Sequence, residues 1–556
     1  MISSFTLKFG RAPGLAPEQI STTPITVFVG PNNSGKSTVL SEIERFCRSG
    51  QENTMSVVLN SLTFEGLTLE ETMKAIEHIT QPPNVGETVT PNYVIVGGRG
   101  GRQQVPLDAL TQAVENPSVN LPTFCQWFLN YGTLMLDGRS RINLVNQQPA
   151  GDLQQAPQSS FQVLFRDDVK RREVRRIVAE AFGSYYVIDP TSLGQLRIRL
   201  AERPPHNDLE ERGIHEEAVL FHSKAQLIDV ASDGVKAFTG IITEIMAGDP
   251  RIVLIDEPEA FLHPSLASKL GYEVARAALT TNKSVFVSTH SPMFIMGCIQ
   301  SGAPVNIVRL TYRGGVATAR VLPSEEILEL MRNPLLRSTG VLSALFYEFV
   351  VVTEGDADRA FYQEVNERLL RFRSNWGIPN CLFINAQNKQ TIPTIIRPLR
   401  KLGIPAAGIV DVDVLKDGGT TWTNLLDSIH VPQLSHQSLG VQRAAIKQAM
   451  DATGRNMKRE GGLSILKKQD QEAASNLLDL LNDYGIFVIR GGELESWLKN
   501  CGANGHGPTW LIDVFERMGE DSDAKNYVRP SDDDVWHFMA QVKAWLVNPT
   551  RKGIPV

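Results

Sequence analysis

Short apolar runs alternate with helix-periodic stretches along most of the chain. Pro24–Val29, Ile252–Ile255 and Ser284–Ser291 each read as a buried strand, and Phe349–Glu354, Cys381–Ile384, Ala406–Val414 and Ile486–Ile489 repeat the pattern. Helical spacing follows several of them. After Asp358, residues Ala360, Phe361, Val365 and Leu369 keep one face apolar, and Thr391–Leu402 and Phe238–Met246 show the same period. Strands alternating with helices predict an α/β fold built on parallel sheets. At 556 residues the chain is too long for one ordinary core, so at least two domains are expected. The boundaries read as 1–340, with a helical and loop insertion at about 60–230, then 341–500, then a helical extension over 501–556. Pro334–Tyr347 is the expected connector, helical after Thr339.

The interruptions are polar. Gly97–Arg102 (GGRGGR) reads as a flexible basic loop and Gln147–Ser160 as a surface loop. Phe165–Ile177 carries Arg166, Lys170, Arg171, Arg172, Arg175 and Arg176; such a run is first a solvated helix face, and second a place for nucleic-acid backbone contacts. Asp137–Arg141 (DGRSR) ends an apolar run, as a solvated turn or with its arginines near a phosphate. Asp521–Asp534 is an acidic surface loop, and Val535–Val547 is a packed helix bearing Trp536, Phe538, Met539, Val542 and Trp545.

Composition narrows the class. Apolar content of 42% and charged content of 21% are those of a globular protein, and no apolar run approaches the ~20 residues of a membrane span. The N-terminus lacks a basic segment followed by a long apolar one. The five cysteines are scattered without CxxC spacing, which predicts reduced thiols and a cytoplasmic protein. A net charge of −6 means that any nucleic-acid binding must use local basic patches.

Strand Pro24–Val29 runs into GPNNSGKST and then a helix, the P-loop in its required context. Gly30, Asn32, Asn33, Ser34 and Gly35 would cradle phosphate with backbone amides, Lys36 would reach the β- and γ-phosphates, and Ser37, followed by Thr38, would ligate Mg²⁺. Strand Ile252–Ile255 delivers Asp256 for the same Mg²⁺ and Glu257 to polarise the attacking water. His290, at the end of a further core strand, is the expected γ-phosphate sensor. In Val230–Ala237 (VASDGVKA), Ser232 and Gly234 open a helix, as an N-cap or as phosphate ligands.

The second half concentrates carboxylates at strand ends. Phe349–Asp358 (FVVVTEGDAD) places Glu354 at a sheet edge with Asp356 and Asp358 just beyond. Asp411 and Asp413, two apart on a strand, are expected on one face. Glu493 and Glu495 follow a Gly-Gly turn, either as acids enriched at a helix N-terminus or with at least one of them joining the site. Buried like charges need a cation, and oxygen-only ligands suit Mg²⁺ or Mn²⁺. The metal set is therefore Glu354, Asp358, Asp411, Asp413 and the Glu493/Glu495 pair.

The order P-loop, degenerate signature at Ser232 and Gly234, Asp256-Glu257 and His290 resembles the ABC/SMC-type ATPases. In those the signature loop completes the site of the opposite subunit; here Asp233 replaces the usual glycine. A strand ending in Glu-Gly followed by Asp-x-Asp resembles the TOPRIM fold. The combination resembles the OLD (overcoming lysogenisation defect) nucleases, whose relatives include the Gabija nuclease subunit and retron-associated effectors of bacterial phage defence. The resemblance implies Mg²⁺- or Mn²⁺-dependent DNA cleavage with two ions about 4 Å apart, ATP-mediated homodimers or higher homo-oligomers, and a role against phages. A defence-system partner protein or retron RNA/DNA is a further implied partner. Glu354, Asp411 and Asp413 would be catalytic, and a late lysine is expected, with Lys499, Lys525, Lys543 and Lys552 as candidates. The rival reading is an ATP-gated DNA clamp or scaffold acting within a larger complex. Strand passage would need a marked tyrosine nucleophile, and primer synthesis a zinc module that the cysteines do not form.

Overall fold

The computed structural model describes residues 2–51, 54–84, 86–98, 101–155, 157–322, 324–334, 336 and 340–555. Thr339, Arg99 and Gly100, which belong to the expected connector and basic loop, lie outside them. The chain forms two compact units, Met1–Ser324 and Glu325–Val556.

The first unit is organised on a six-stranded sheet. Its spatial order is Val316–Leu322, Val305–Arg313, Ile25–Val29, Ser284–Ser288, Ile252–Asp256 and Thr133–Leu136. All neighbours are parallel except the first hairpin. The central strands are buried on both faces, which explains their unbroken apolar runs. A small antiparallel sheet joins Gln19–Ser21, Ile2–Leu7 and Leu59–Phe64, and Phe5 from it meets Phe28 edge-on in the shared core. The stretch about 60–230 contains strands as well as helices and loops. Thr133–Leu136 is an edge of the main sheet, and Gln195–Ala201 pairs with Tyr185–Asp189, Gln148–Pro149 and Gln226–Leu227.

Two expectations change here. The described part of the glycine-arginine loop belongs to a hairpin, Tyr93–Gly98 with Gly101–Pro106, and Arg102 is ion-paired to Glu87. The arginine-rich stretch is a helix, Asp168–Phe182, yet it is not a free basic face. Arg171 is fully buried and paired with Glu211 (2.9 Å), Asp168 (2.6 Å) and Asp208 (3.3 Å). Arg175 also reaches Glu211, and Arg176 binds Glu173 and Glu180. The run looked uncompensated because Asp208 and Glu211 lie outside it in sequence.

The second unit has a four-stranded parallel sheet ordered Cys381–Asn385, Phe349–Thr353, Ala406–Asp411 and Ile486–Ile489. The carboxyl ends of its strands share one edge. The helix Asp356–Phe372 presents Phe361, Val365 and Leu369 to a core that also takes Trp510, Val514 and Met518 from Pro508–Met518. Trp536, Met539 and Val542 of Asp534–Val547 complete it at helical spacing. Residues after 500 thus share this unit's core. Arg368 fastens the intervening acidic loop, donating to the carbonyls of Met518, Gly519 and Val528. No helix among the described residues is long and apolar enough to cross a membrane.

Candidate nucleotide site and carboxylate metal centre

In the first unit the loop after Ile25–Val29 opens on Gly30, whose φ is +142°. A Cβ there would lie 2.0 Å from the Leu310 carbonyl oxygen, so no other residue fits. Asn33 (φ +61°) and Gly35 (φ +94°) complete the left-handed backbone that wraps an anion. The helix Lys36–Ser49 follows without a side-chain cap, leaving its N-terminal amides for a ligand. Lys36 Nζ donates to the Gly30 and Pro31 carbonyls at 2.9 and 2.8 Å, folded over the loop where phosphate oxygens would sit. Burial lowers its pKa to about 8, against the pull of Glu257, Asp256 and Glu259. Ser34 is buried, while Asn32, Asn33, Ser37 and Thr38 are exposed.

The distant motifs converge on this loop. Ser37 Oγ donates to Asp256 Oδ1 at 2.8 Å, and Ser288 bonds the same oxygen. A serine hydroxyl beside a strand-end carboxylate is a fitting pair for Mg²⁺. His290 Nε2 is 3.5 Å from Glu257 Oε1, so the expected sensor and the expected water-polarising acid face one another. Burial, then the Lys36 charge, lowers the His290 pKa. Glu257 has φ +50°, an uncommon backbone for a side chain of its size. Arg141 holds it there. Its Nη1 donates to the carbonyls of both Asp256 and Glu257 at 2.6 Å, and its side chain is buried. Of the two arginines in Asp137–Arg141, then, Arg141 grips the backbone of the Asp256–Glu257 turn. Ser232 precedes the helix Asp233–Ala247 without capping it; no hydrogen bond or ion pair among the described residues joins Ser232 or Gly234 to the P-loop.

In the second unit the strand ends gather acids. Glu354 follows Phe349–Thr353, and Asp411 ends the neighbouring strand; the Asp411 amide donates to Glu354 Oε1 at 2.8 Å. The expected strand Ala406–Val414 stops at Asp411, and Asp413 lies in a 3-10 turn, Val412–Lys416. The two aspartates therefore converge through a turn, not by strand alternation. Glu354, Asp411 and Asp413 each bring one oxygen within 4.8 Å of the others. Asp358 caps its own helix by accepting from the Gly355 amide at 3.1 Å. All line one cleft of about 390 Å³, whose wall includes Glu493, Glu495, Lys389, Lys458 and His506.

These acids strain against one another. Burial, then the Asp411 charge, raises the Glu354 pKa. Burial and Asp411 push Asp358 up to about 7. Asp411 is also raised, mainly by burial, with Lys458 opposing. Asp411 Oδ1 is buried without a hydrogen-bond partner among the described residues. Hard oxygen donors with an orphaned acceptor fit a divalent cation. Glu493 and Glu495 form a second trio with His506, whose Nδ1 is 2.6 Å from Glu495 Oε1. The Gly507 amide also donates to that oxygen at 2.7 Å.

None of the late lysine candidates, Lys499, Lys525, Lys543 and Lys552, lines this cleft. Lys543 bonds the Ser374 and Asn375 carbonyls, and Lys552 pairs with Asp483. The lysines at the acids are Lys458, 2.6 Å from Asp411 and 3.8 Å from Asp413, and Lys389, 3.1 Å from both Asp413 and Asp417. Sequence reasoning missed both, along with His506. Lys389 sits in the polar NAQNKQ stretch after Cys381–Asn385, which was the available signal.

Comparison with known proteins finds both domain types. Residues 167–296 match the family described as "AAA domain, putative AbiEii toxin, Type IV TA system", and residues 345–413 match "Overcoming lysogenization defect protein-like, TOPRIM domain". The pairing matches an OLD-family ATPase–TOPRIM fusion. Similar solved structures of the ATPase part include the SMC head domain from Thermotoga maritima, at 15% identity, TM-score 0.30, covering 58% of this chain and 99% of that one. Another is the Smc head domain with an extended coiled coil bound to the C-terminal domain of ScpA, from Pyrococcus furiosus. It has 14% identity, TM-score 0.29, and covers 59% of this chain and 98% of that one. No curated protein matches. The ATPase–TOPRIM chain thus joins a nucleotide-using domain to a nuclease-type domain, and both domain types use divalent metal.

Proposed function

We propose that the protein is an ATP-regulated, Mg²⁺- or Mn²⁺-dependent DNA endonuclease, acting as a homo-oligomer in defence against phages. The observation that carries this reading is the convergence of Glu354, Asp411 and Asp413 at the carboxyl edge of the TOPRIM sheet, with Asp358 beside them. A clamp that merely bound DNA would gain nothing from crowding four like charges, one buried and three half-buried, which cost stability in the metal-free protein. Whether the product is a nick or a double-strand break follows from how many such sites meet one duplex.

The residues divide the work. Glu354, Asp411 and Asp413 would hold the cation, and the Asp411 amide fixes the Glu354 carboxylate in position. Divalent ions bound there supply water activation and charge neutralisation at the leaving 3′-oxygen. Lys458, in the wall of the cleft, would meet a phosphate oxygen once it leaves Asp411. Glu493, Glu495 and His506 extend the polar wall.

The ATPase unit supplies regulation. Lys36 exchanges its two carbonyl partners for phosphate oxygens when nucleotide binds. Glu257 orients water, and His290, 3.5 Å from Glu257, senses the γ-phosphate. Ser232, exposed and free of a capping role, is available to the nucleotide of a second copy.

Supercoiled plasmid incubated with Mg²⁺ or Mn²⁺, with and without ATP, tests the reading. Nicking or linearisation that needs the ion and is lost in Glu354→Ala and Asp411→Ala is expected. Absence of cleavage in every condition, with ATP hydrolysis intact and lost in Lys36→Ala, would favour the clamp.

A further inference from the structure

A polyanion does not approach a cluster of acids unaided, so the nuclease reading raises the question of what receives the DNA backbone. The arginine-rich helix Asp168–Phe182 is a poor answer, because Arg171, Arg175 and Arg176 are held in ion pairs. The segment 453–468, between the helices Gln433–Asp451 and Lys468–Asp483, is a better one. It carries Arg455, Lys458, Arg459, Lys467 and Lys468 against the single carboxylate Glu460. Glu460 is itself engaged, accepting from the Asn456 amide at 2.8 Å.

The segment is fixed to the acid cleft. Met457, Leu463 and Leu466 are buried as anchors. The Leu463 amide donates to the Arg490 carbonyl at 2.9 Å, at the end of the strand that precedes Glu493. Its backbone presses on the Gly-Gly turn, where a Cβ on Gly492 would lie 2.0 Å from the Lys458 carbonyl oxygen. Lys458 therefore points inward to Asp411, whereas Arg455, Arg459, Lys467 and Lys468 are exposed. Arg455 and Arg459 have acid partners only at 3.8 and 4.0 Å, on side chains 59% and 65% exposed. Lys467 and Lys468 have no ion pair among the described residues. Arg459 stands at the rim of the acid cleft, 4.0 Å from Glu493, and with the other exposed cations of its anchored segment it forms an electropositive path toward a site that would otherwise repel DNA.

We propose that residues 453–468 form the platform on which the phosphodiester backbone of the DNA substrate docks beside the acid cleft, with Arg455, Arg459, Lys467 and Lys468 contacting phosphates. The proposal rests on the nuclease reading for the identity of its ligand. Backbone contacts carry no base information, so the platform accepts any sequence.

The test measures binding without cleavage. Fluorescence anisotropy of a labelled DNA duplex in EDTA, at several salt concentrations, compares the full-length protein with Arg455→Gln, Arg459→Gln, Lys467→Gln and Lys468→Gln combined. Each lost phosphate contact flattens the dependence of log affinity on log salt by about 0.9, so the combined variant, which loses four, should flatten it by about 3.6 and weaken binding by about 10-fold or more. Its melting temperature should match the wild type. A control carrying Arg166→Gln, Lys170→Gln and Arg172→Gln should keep the wild-type slope. A folded combined variant with wild-type slope and affinity overturns the proposal, as does a control that reproduces the loss. An RNA of the same sequence, bound more tightly and lost in the same variant, overturns the assignment to DNA. Cleavage is scored separately: wild type that binds through the platform but never cuts sinks the nuclease and leaves the platform standing.

Discussion

Lys458 Nζ lies 2.6 Å from Asp411 Oδ2, so the ammonium group already stands where a cation is needed. It compensates acids that burial and mutual repulsion destabilise. Removing one partner of a buried pair costs about 3–5 kcal/mol, and partial exposure of Lys458 reduces this to about 1–2 kcal/mol. Lys458→Gln should therefore lower the melting temperature in EDTA, and Mn²⁺ should stabilise the variant more than the wild type. Differential scanning fluorimetry with and without Mn²⁺ reads both; equal melting in EDTA would show that the pair stabilises nothing.

Asp358 gives the metal-free protein a pH signature. Its folded pKa is about 7 against an ordinary value of 3.8, so the fold favours the neutral acid. For a raised acid, stability is highest below the unfolded pKa and declines as pH rises toward the folded value. In EDTA the wild type should lose stability between about pH 4 and pH 7 relative to Asp358→Asn, which keeps the oxygen that caps Gly355. The variant should melt roughly 2–4 °C higher at pH 8 and no higher at pH 4. Thermal melts across that range, in EDTA, check the sign; a variant that is less stable at pH 8 would contradict it.

The acids, the P-loop and the strand ending in Asp256 were legible because each is a contiguous string whose spacing forces its geometry. Glu354 and Asp411 follow from strands that must end at one sheet edge. What could not be read are contacts between segments far apart in the chain. Arg141 reaches the Asp256–Glu257 backbone across more than a hundred residues, and Lys458 enters the cleft from a loop. Asp413 illustrates a subtler limit: the alternation rule holds while a strand lasts, and this one ends two residues earlier. The arginines of Asp168–Phe182 appeared free because their partner Glu211 follows the helix only after two intervening strands, Tyr185–Asp189 and Gln195–Ala201.

Arg141 should matter for hydrolysis more than for nucleotide binding. It holds the two carbonyls that set Glu257 in its φ +50° conformation, and it touches neither Lys36 nor Ser37. Arg141→Lys retains charge but not the shared two-carbonyl grip. ATP turnover should fall by about 10²-fold, as misplacement of a positioning group does, while ATP affinity stays within a few-fold. Steady-state ATPase assays paired with nucleotide binding separate the two; parallel losses would mean that Arg141 holds the P-loop itself.

The C-terminal helix should be indispensable to the second unit. Trp536 is 1% exposed, in the core that also takes Phe361 and Trp510. Trp536→Ala should cost about 3–5 kcal/mol, lowering the melting temperature by about 10 °C. Calorimetry of the full chain would show it, and a shift under 2 °C would mean that residues after 500 contribute little to this core.

The most direct measurement is single-turnover cleavage of an end-labelled DNA, bound to saturation before Mn²⁺ is added, by wild type and Glu354→Gln. The wild type should cut, and the variant should bind equally and leave the DNA intact, because Glu354 acts on the reacting phosphate and not on docking. Cleavage by Glu354→Gln at the wild-type rate, or intact DNA on a saturated wild-type protein, would contradict phosphodiester hydrolysis at the Glu354–Asp411–Asp413 centre.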